Sequence, residues 1–409
     1  MKMNYGKILL WVAILLMGAG TGWAQEYPTF VKVDSNRLHY DTSSYRFKHM
    51  ASRWKQVTQE GKGNFNIVHI GASHVQGGTL PHRVRMNLLR RHPNLVASRG
   101  MIFPYSAAAR CNNPSDYVVH CAEKVDLTRN VYQNPEQNLG LCGIAVTAHD
   151  STTTIAIVCN EQGVDFHADR IVVLGESSDH IIPFLQIGDR KVSPSHIDTN
   201  TRRFSYTLYA PTDSFAIVIP CDSAQSFTLT GVYIGNRKPG ISYHSIGVNG
   251  ASADDYLKCP YFTTDLKLLK PDVVIFGIGI NDAAGTDFDT AVFANNYRHL
   301  VDSVRTVNHD CAIVFITNND SYKKIKKKRR RSSYVVNTNG PLVRETFYRL
   351  AKECDAAVWD QFEIMGGLKS MEKWQQQRLA QKDKVHFTRT GYELLGDLLS
   401  QALLRALNH

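Results

Sequence analysis

Asn66-Ile67-Val68-His69-Ile70-Gly71-Ala72-Ser73-His74-Val75-Gln76-Gly77-Gly78 carries a serine where one structural pattern gives way to another. Ile67 to Ile70 is short and mostly apolar, as in a strand covered on both faces. Gly71 permits a tight turn. Thr79 to Arg91 then places Leu80, Val84, Leu88 and Leu89 at helical spacing. A hydroxyl at such a strand-to-helix turn stands at the carboxyl edge of a sheet. Backbone N–H groups there can face a developing negative charge. The position suits a nucleophile, provided that a base, an acid and oxyanion donors occur elsewhere in the chain.

Near the other end, Lys382-Asp383-Lys384-Val385-His386-Phe387-Thr388 precedes a helix expected over Arg389 to Leu407. Two residues separate Asp383 from His386. In a turn, that spacing lets the carboxylate accept from imidazole Nδ1–H and leaves Nε2 free to take a serine proton. In the middle, Lys270 to Asp282 reads as a buried strand, Val273 to Phe276, running into the polar loop Gly279-Ile280-Asn281-Asp282. The Asn281 side-chain amide is a candidate oxyanion donor. Ser245-Ile246-Gly247-Val248-Asn249-Gly250-Ala251-Ser252 ends another strand, and Gly250 would let a backbone N–H approach a substrate closely.

Gly71-Ala72-Ser73-His74, Asn249-Gly250-Ala251-Ser252, Gly279-Ile280-Asn281-Asp282 and Asp383-Lys384-Val385-His386 together resemble, in type and order, the blocks of the SGNH (GDSL-like) hydrolases. The resemblance implies a three-layer α/β/α fold around a parallel sheet. It implies Ser73 as nucleophile, His386 as base and Asp383 as its orienter. The Ser73 and Gly250 N–H groups and the Asn281 side chain would form the oxyanion hole. No metal or organic cofactor is implied. His74 is a further candidate, either contacting the substrate or holding the loop, whereas His69 alternates with apolar neighbours as a core histidine would. One departure is plain: the family usually has Asp, which tends to organise the nucleophile loop, where this chain has Ala72.

The chain has 409 residues, enough for more than one sizeable core. Residues from about 64 to 109 read as α/β. From Cys111 to Asn236 the pattern changes to short strands without long helices, at Gly143–Ala148, Thr152–Cys159, Arg170–Leu174, Phe184–Ile187, Phe204–Tyr209, Ser214–Ile219 and Phe227–Ile234. This is the signature of a β-sandwich or jelly roll. After Gly240 the α/β alternation resumes, with a strand near Ala312–Ile316 and helices near Thr290–Val307 and Pro341–Ala351. The expected organisation is a hydrolase domain in two parts, 25–110 and 239–409, interrupted by a β domain at 111–238. This layout is similar to that of exported SGNH esterases that deacetylate peptidoglycan, whose β insert resembles a carbohydrate-binding module. The resemblance implies an O-acetylated glycan substrate, with acetyl transfer to a sugar hydroxyl or simple glycan binding as alternatives.

Basic Met1–Lys7, apolar Ile8–Met17 and small residues up to Ala24 read as a secretory signal peptide spanning 1–24, which predicts a periplasmic or envelope location. The formal net charge of +10 is local. Eight positive charges lie in 323–331, Lys323-Lys324-Ile325-Lys326-Lys327-Lys328-Arg329-Arg330-Arg331, and two more, Lys2 and Lys7, lie in the leader. Nothing is left over for a distributed nucleic-acid-binding face. The run reads as a solvated loop on the carboxyl side of the strand at 312–316, where it could touch an anionic glycan or lipid. Export permits disulfides, but the eight cysteines show no metal-ligand spacing and dictate no pairing.

Overall fold

The structure is a computed structural model that describes residues 27–108, 111, 113–159, 167–178, 180–325 and 333–408. The expected signal peptide and most of the basic run lie outside the described residues. The central sheet has seven strands, β1 (Leu38–His39), β2 (Asn64–Gly71), β3 (Val96–Ser98), β4 (Gly240–Gly247), β5 (Val273–Gly277), β6 (Ala312–Ile316) and β7 (Ala357–Trp359), in the spatial order β1-β7-β6-β5-β2-β4-β3. All neighbours are parallel except β1, which runs antiparallel to β7 at one edge.

Side chains alternate across this sheet and feed two cores. On one face, Phe65 and Ile67 of β2 pack with Trp54 of α1 (Tyr45–Glu60), with Leu80, Val84 and Leu88 of a helix at Thr79–Arg90, and with Leu395, Leu399 and Leu403 of the C-terminal helix at Arg389–Leu407. On the other face, Val68 and Ile70 join Tyr297 and Val304 of the helix Thr290–Val307 and Phe347 and Leu350 of the helix Gly340–Cys354. The result is the three-layer α/β/α arrangement expected from the sequence.

The intervening region forms two antiparallel sheets. One has five strands, with Thr152–Val158 and Ser214–Pro220 at its centre. The other is built on Ala168–Ser177, Arg203–Thr212 and Ser226–Gly235. Thr153, Ile155 and Ile157 of the first sheet point inward between more exposed neighbours, as in a half-buried strand. Nearly all of Ser226–Gly235 is buried, because this strand also lies against the hydrolase part. Its side chains share one continuous core with β2 and β5.

Two details differ from the sequence reading. Gly100–Ile102, which precedes residue 111, pairs with Val232–Ile234 and so belongs to the inserted sheet. The basic run begins within an antiparallel ribbon, Tyr322–Ile325 paired with Ser333–Val336. Its strand character is hidden in the sequence by lysines at alternate and adjacent positions. All eight cysteines are free. Among the described residues no helix is long and apolar enough to cross a membrane, and no cluster of metal-ligating side chains occurs.

Candidate active site

Parallel pairing places the ends of three adjacent strands side by side. Gly71 of β2 is in register with Gly247 of β4 on one side and with Gly277 of β5 on the other. The Ser73, Gly250 and Asn281 loops therefore leave the sheet at one carboxyl edge, where open α/β sheets carry their sites. The serine opens α2 (Ser73–Gln76), a single turn set down directly on that edge. The close approach needs glycines. A Cβ on Gly71 would meet Val75 Cγ2 at 2.2 Å, and one on Gly247 would meet the Gln76 nitrogen at 2.4 Å and the Ala72 oxygen at 2.7 Å.

From the other end of the chain comes the loop before the C-terminal helix. Ser73 Oγ lies 2.8 Å from His386 Nε2, and His386 Nδ1 lies 2.7 Å from Asp383 Oδ2. An ionised Asp383 can only accept, so Nδ1 carries the proton and Nε2 is left as the acceptor for the serine hydroxyl. Asp383 Oδ1 also accepts from the Val385 and His386 N–H groups, each at 3.0 Å. This fold-back depends on Lys384, which takes the left-handed conformation at φ 56°. Partial burial pushes the Asp383 carboxyl up, but the His386 ring and the two N–H groups outweigh it and hold the pKa below the ordinary value.

The oxyanion candidates lie where the strand ends put them. Asn281 donates from Nδ2 to the Ala251 oxygen at 2.9 Å, which ties the third block to the second and leaves one amide hydrogen uncommitted by that bond. Gly250 has φ 87°, and a Cβ there would meet nothing within 4 Å, so its face is open. Among the described residues neither the Ser73 nor the Gly250 N–H meets a protein acceptor.

The serine turn is held without the family's usual Asp. Ala72 is buried at 1% exposure, and its carbonyl accepts from Val75 at 3.1 Å and Gln76 at 2.9 Å. Tyr256 donates its hydroxyl to the Gly71 oxygen at 2.8 Å. These bonds fix the backbone on both sides of Ser73.

His74 turns inward. Its Nδ1 lies 2.7 Å from the Tyr392 hydroxyl, and its ring is enclosed by His386, Phe387 and Tyr392. Burial, with His386 adding to it, pushes its pKa down to about 3, so the ring is neutral. A cavity of about 30 Å³ lies behind it, with His69, Thr317, Asn319 and Leu395 in its wall. His69 is itself buried at 1% exposure, with Nδ1 2.9 Å from the Tyr243 hydroxyl.

Three supporting residues have no role assigned to them by the sequence alone: Gln76, Tyr256 and Tyr392. Gln76 Oε1 accepts from the Asn249 N–H at 2.7 Å, joining the serine turn to the Gly250 loop. Its position three residues after Ser73, one helical turn on, was the only available signal. Tyr256 lies in a five-residue helix, Ala253–Leu257, too short to show a helical repeat, and Tyr392 in the C-terminal helix, whose apolar spacing reads simply as core.

Residues 230–394 match the GDSL-like lipase/acylhydrolase family. That span begins as the β insert ends and holds the second, third and last blocks, while Ser73 lies outside it. Among curated proteins no sequence matches the chain. The fold is similar to that of a peptidoglycan O-acetylesterase of solved structure, with 19% identity and a TM-score of 0.73, over 90% of this chain and 99% of that one. A shorter similarity links it to an acetylxylan esterase from Geobacillus stearothermophilus (21% identity, TM-score 0.29, 42% of this chain and 74% of that one). Another links it to a GDSL-like lipase from Bacteroides thetaiotaomicron VPI-5482 (18% identity, TM-score 0.30, 41% and 76%). The family match thus covers the second part of the chain, 230–394, and the likeness to the peptidoglycan O-acetylesterase is one of fold, shared over nine-tenths of the chain.

Proposed function

We propose that the protein is an exported serine esterase that removes O-acetyl groups from a polysaccharide, with peptidoglycan as the first substrate to test. The observation that carries the ester chemistry is the hydrogen-bonded chain Ser73–His386–Asp383 at the sheet edge that also carries Gly250 and Asn281. In this reading His386 Nε2 takes the Ser73 proton as Oγ attacks the acetyl carbonyl. The charge that forms on the carbonyl oxygen is met by the Ser73 and Gly250 N–H groups and the Asn281 amide. Collapse breaks the ester C–O bond, and His386 returns the proton to the leaving sugar oxygen. Water, deprotonated by the same imidazole, then releases acetate from the acetyl-serine. Asp383 keeps the imidazole in the required tautomer. His74 steadies the serine turn from behind through Tyr392 and is not needed as a substrate contact.

The glycan substrate is supported by the fold shared with a peptidoglycan O-acetylesterase along nearly the whole chain, the β insert included. Export is supported by the leader pattern at 1–24. The basic run at 323–331 is assigned to contact with anionic groups of the polymer. Its ribbon is anchored beside the triad, since the Tyr322 N–H donates to the Lys384 oxygen at 3.1 Å.

The deciding experiment uses the purified protein, an aryl acetate and O-acetylated peptidoglycan. Acetate should be released from both, and a serine-directed phosphonate should label Ser73. Ser73→Ala should lose labelling and turnover while keeping its melting temperature. Full activity in Ser73→Ala would overturn the serine assignment. Release from the aryl acetate alone would overturn the peptidoglycan substrate and leave the esterase standing.

A further inference from the structure

The Gly250 loop is gripped from two directions. The Asn249 N–H donates to Gln76 Oε1 at 2.7 Å, from the serine side. The Asn249 carbonyl accepts from the Arg129 guanidinium, which comes from the inserted β domain. Arg129 ends the strand Asp126–Arg129, where it pairs with Ile144. The next residue is fixed as well, since the Asn130 N–H donates to the Gly143 oxygen at 2.9 Å. A Cβ on Gly143 would lie 2.6 Å from Asn130 Nδ2 and 3.1 Å from Val248 Cγ2, so the strand end sits against the root of the Gly250 loop.

The carbonyl of Asn249 and the N–H of Gly250 belong to one planar peptide group. A charge-assisted hydrogen bond to the carbonyl oxygen draws electron density toward that oxygen and makes the N–H of the same group a stronger donor. It also fixes the plane of the peptide and hence the direction in which the N–H points. We propose that Arg129 is a positioning residue of the oxyanion hole: the inserted β domain orients and polarises the Asn249–Gly250 peptide and so completes the hydrolase site. The proposal rests on the esterase reading above. It adds that the β insert acts on turnover of a substrate too small to reach a glycan-binding surface.

The test compares the full-length mature protein with Arg129→Met and Arg129→Lys on an aryl acetate, alongside the rate at which a phosphonate labels Ser73. Arg129→Met keeps length and removes the donor. It should lower kcat by roughly tenfold, less than the loss of a direct oxyanion donor, with KM within about twofold. Phosphonate labelling, which also builds charge on an oxygen in the hole, should slow in proportion. Arg129→Lys, which keeps a charged donor, should recover part of both rates. Unchanged kcat and labelling in Arg129→Met would overturn the proposal, as would equal losses in the Met and Lys variants that track a fall in melting temperature. If the unaltered protein neither labels nor turns over, the esterase reading fails, an outcome distinct from these two.

Discussion

Asp383 accepts three hydrogen bonds in a four-residue turn, two from backbone N–H groups and one from the His386 ring. The backbone bonds shape the loop and the ring bond sets the tautomer. Asp383→Asn preserves the size but offers an amide that can donate to Nδ1 and so place the imidazole proton on Nε2. The expected result is a fall in kcat of about ten-thousandfold with little change in KM, measured on an aryl acetate across pH. The native carboxyl is held below its ordinary pKa. Its stabilising contribution is therefore complete above the unfolded-state value and is lost as pH falls through the lower folded-state value. This single loop was the most legible part of the site, because both of its functional groups lie within four residues of sequence.

Between elements, the decisive contact is that of α2 with the ends of β2 and β4. Gly247 has no room for a side chain, and the atoms in the way are the backbone nitrogen of Gln76 and the backbone oxygen of Ala72. These atoms cannot swing aside as a flexible side chain would. Gly247→Ala must push α2 off the sheet, carrying Ser73 away from His386. The expected cost is about 1–3 kcal/mol in unfolding free energy, read from urea melts. Phosphonate labelling of Ser73 should drop well beyond what that stability loss explains. Sequence periodicity placed the longer elements to within a few residues, with the helix at Arg389–Leu407 and the strand at Phe184–Ile187 found as expected, but it did not show the single turn α2. Periodicity carried no sign that Gly247 is a contact point, because closeness to a helical turn about 170 residues earlier leaves no local pattern.

At the scale of the molecule, hydrolase and insert are joined through buried charge. Asp116 is ion-paired with Arg99, whose Nε lies 2.7 Å from Oδ2, and accepts from Arg85 Nη1 at 2.9 Å, with all three side chains at 0–1% exposure. Burial alone would raise the Asp116 carboxyl, but the two guanidiniums and His82 hold it far below its ordinary value. Asp116→Asn leaves two buried guanidiniums without their counter-charge. It should destabilise the protein by about 3–5 kcal/mol, seen as a lower urea midpoint. Beside this cluster His244 is buried, and its Nδ1 accepts the Met101 N–H at 2.9 Å. Burial, with Arg85 and Arg99 adding to it, drives its pKa down to about 3 from an ordinary 6.5. The unfolded chain thus binds a proton there between those values and the native state does not. Stability contributed by the neutral ring is complete above pH 6.5 and falls as pH drops toward 3, by up to ~1.4 kcal/mol per pH unit. His244→Gln lacks that titration, so the stability gap between the native protein and the variant should narrow steadily from pH 7 to pH 4 in urea unfolding. A constant gap would show that the ring does not titrate in this way.

The linear chain carried the candidate site groups and the class of the fold. Short motifs at strand ends, alternation of period two and helical spacing are local properties, fixed by backbone geometry and by which faces must be buried. Ser73, Asp383, His386, Asn281 and Gly250 were readable as candidates from short motifs and the family those motifs resemble, and the change of texture that marks the β insert was readable from periodicity. Only the folded molecule decided how those groups are held. Ser73 and His386 are 313 residues apart and meet because β2 lies mid-sheet while the C-terminal helix packs on one face of it. Ala72, a departure from the family pattern, left the firmness of the serine turn open until Tyr256 and the Ala72 carbonyl were seen to supply it. Gln76 and Arg129 gained meaning only once strand order had brought the nucleophile turn, the Gly250 loop and the inserted domain to the same edge. Pairings across such separations arise from packing the whole chain, and no local pattern encodes them.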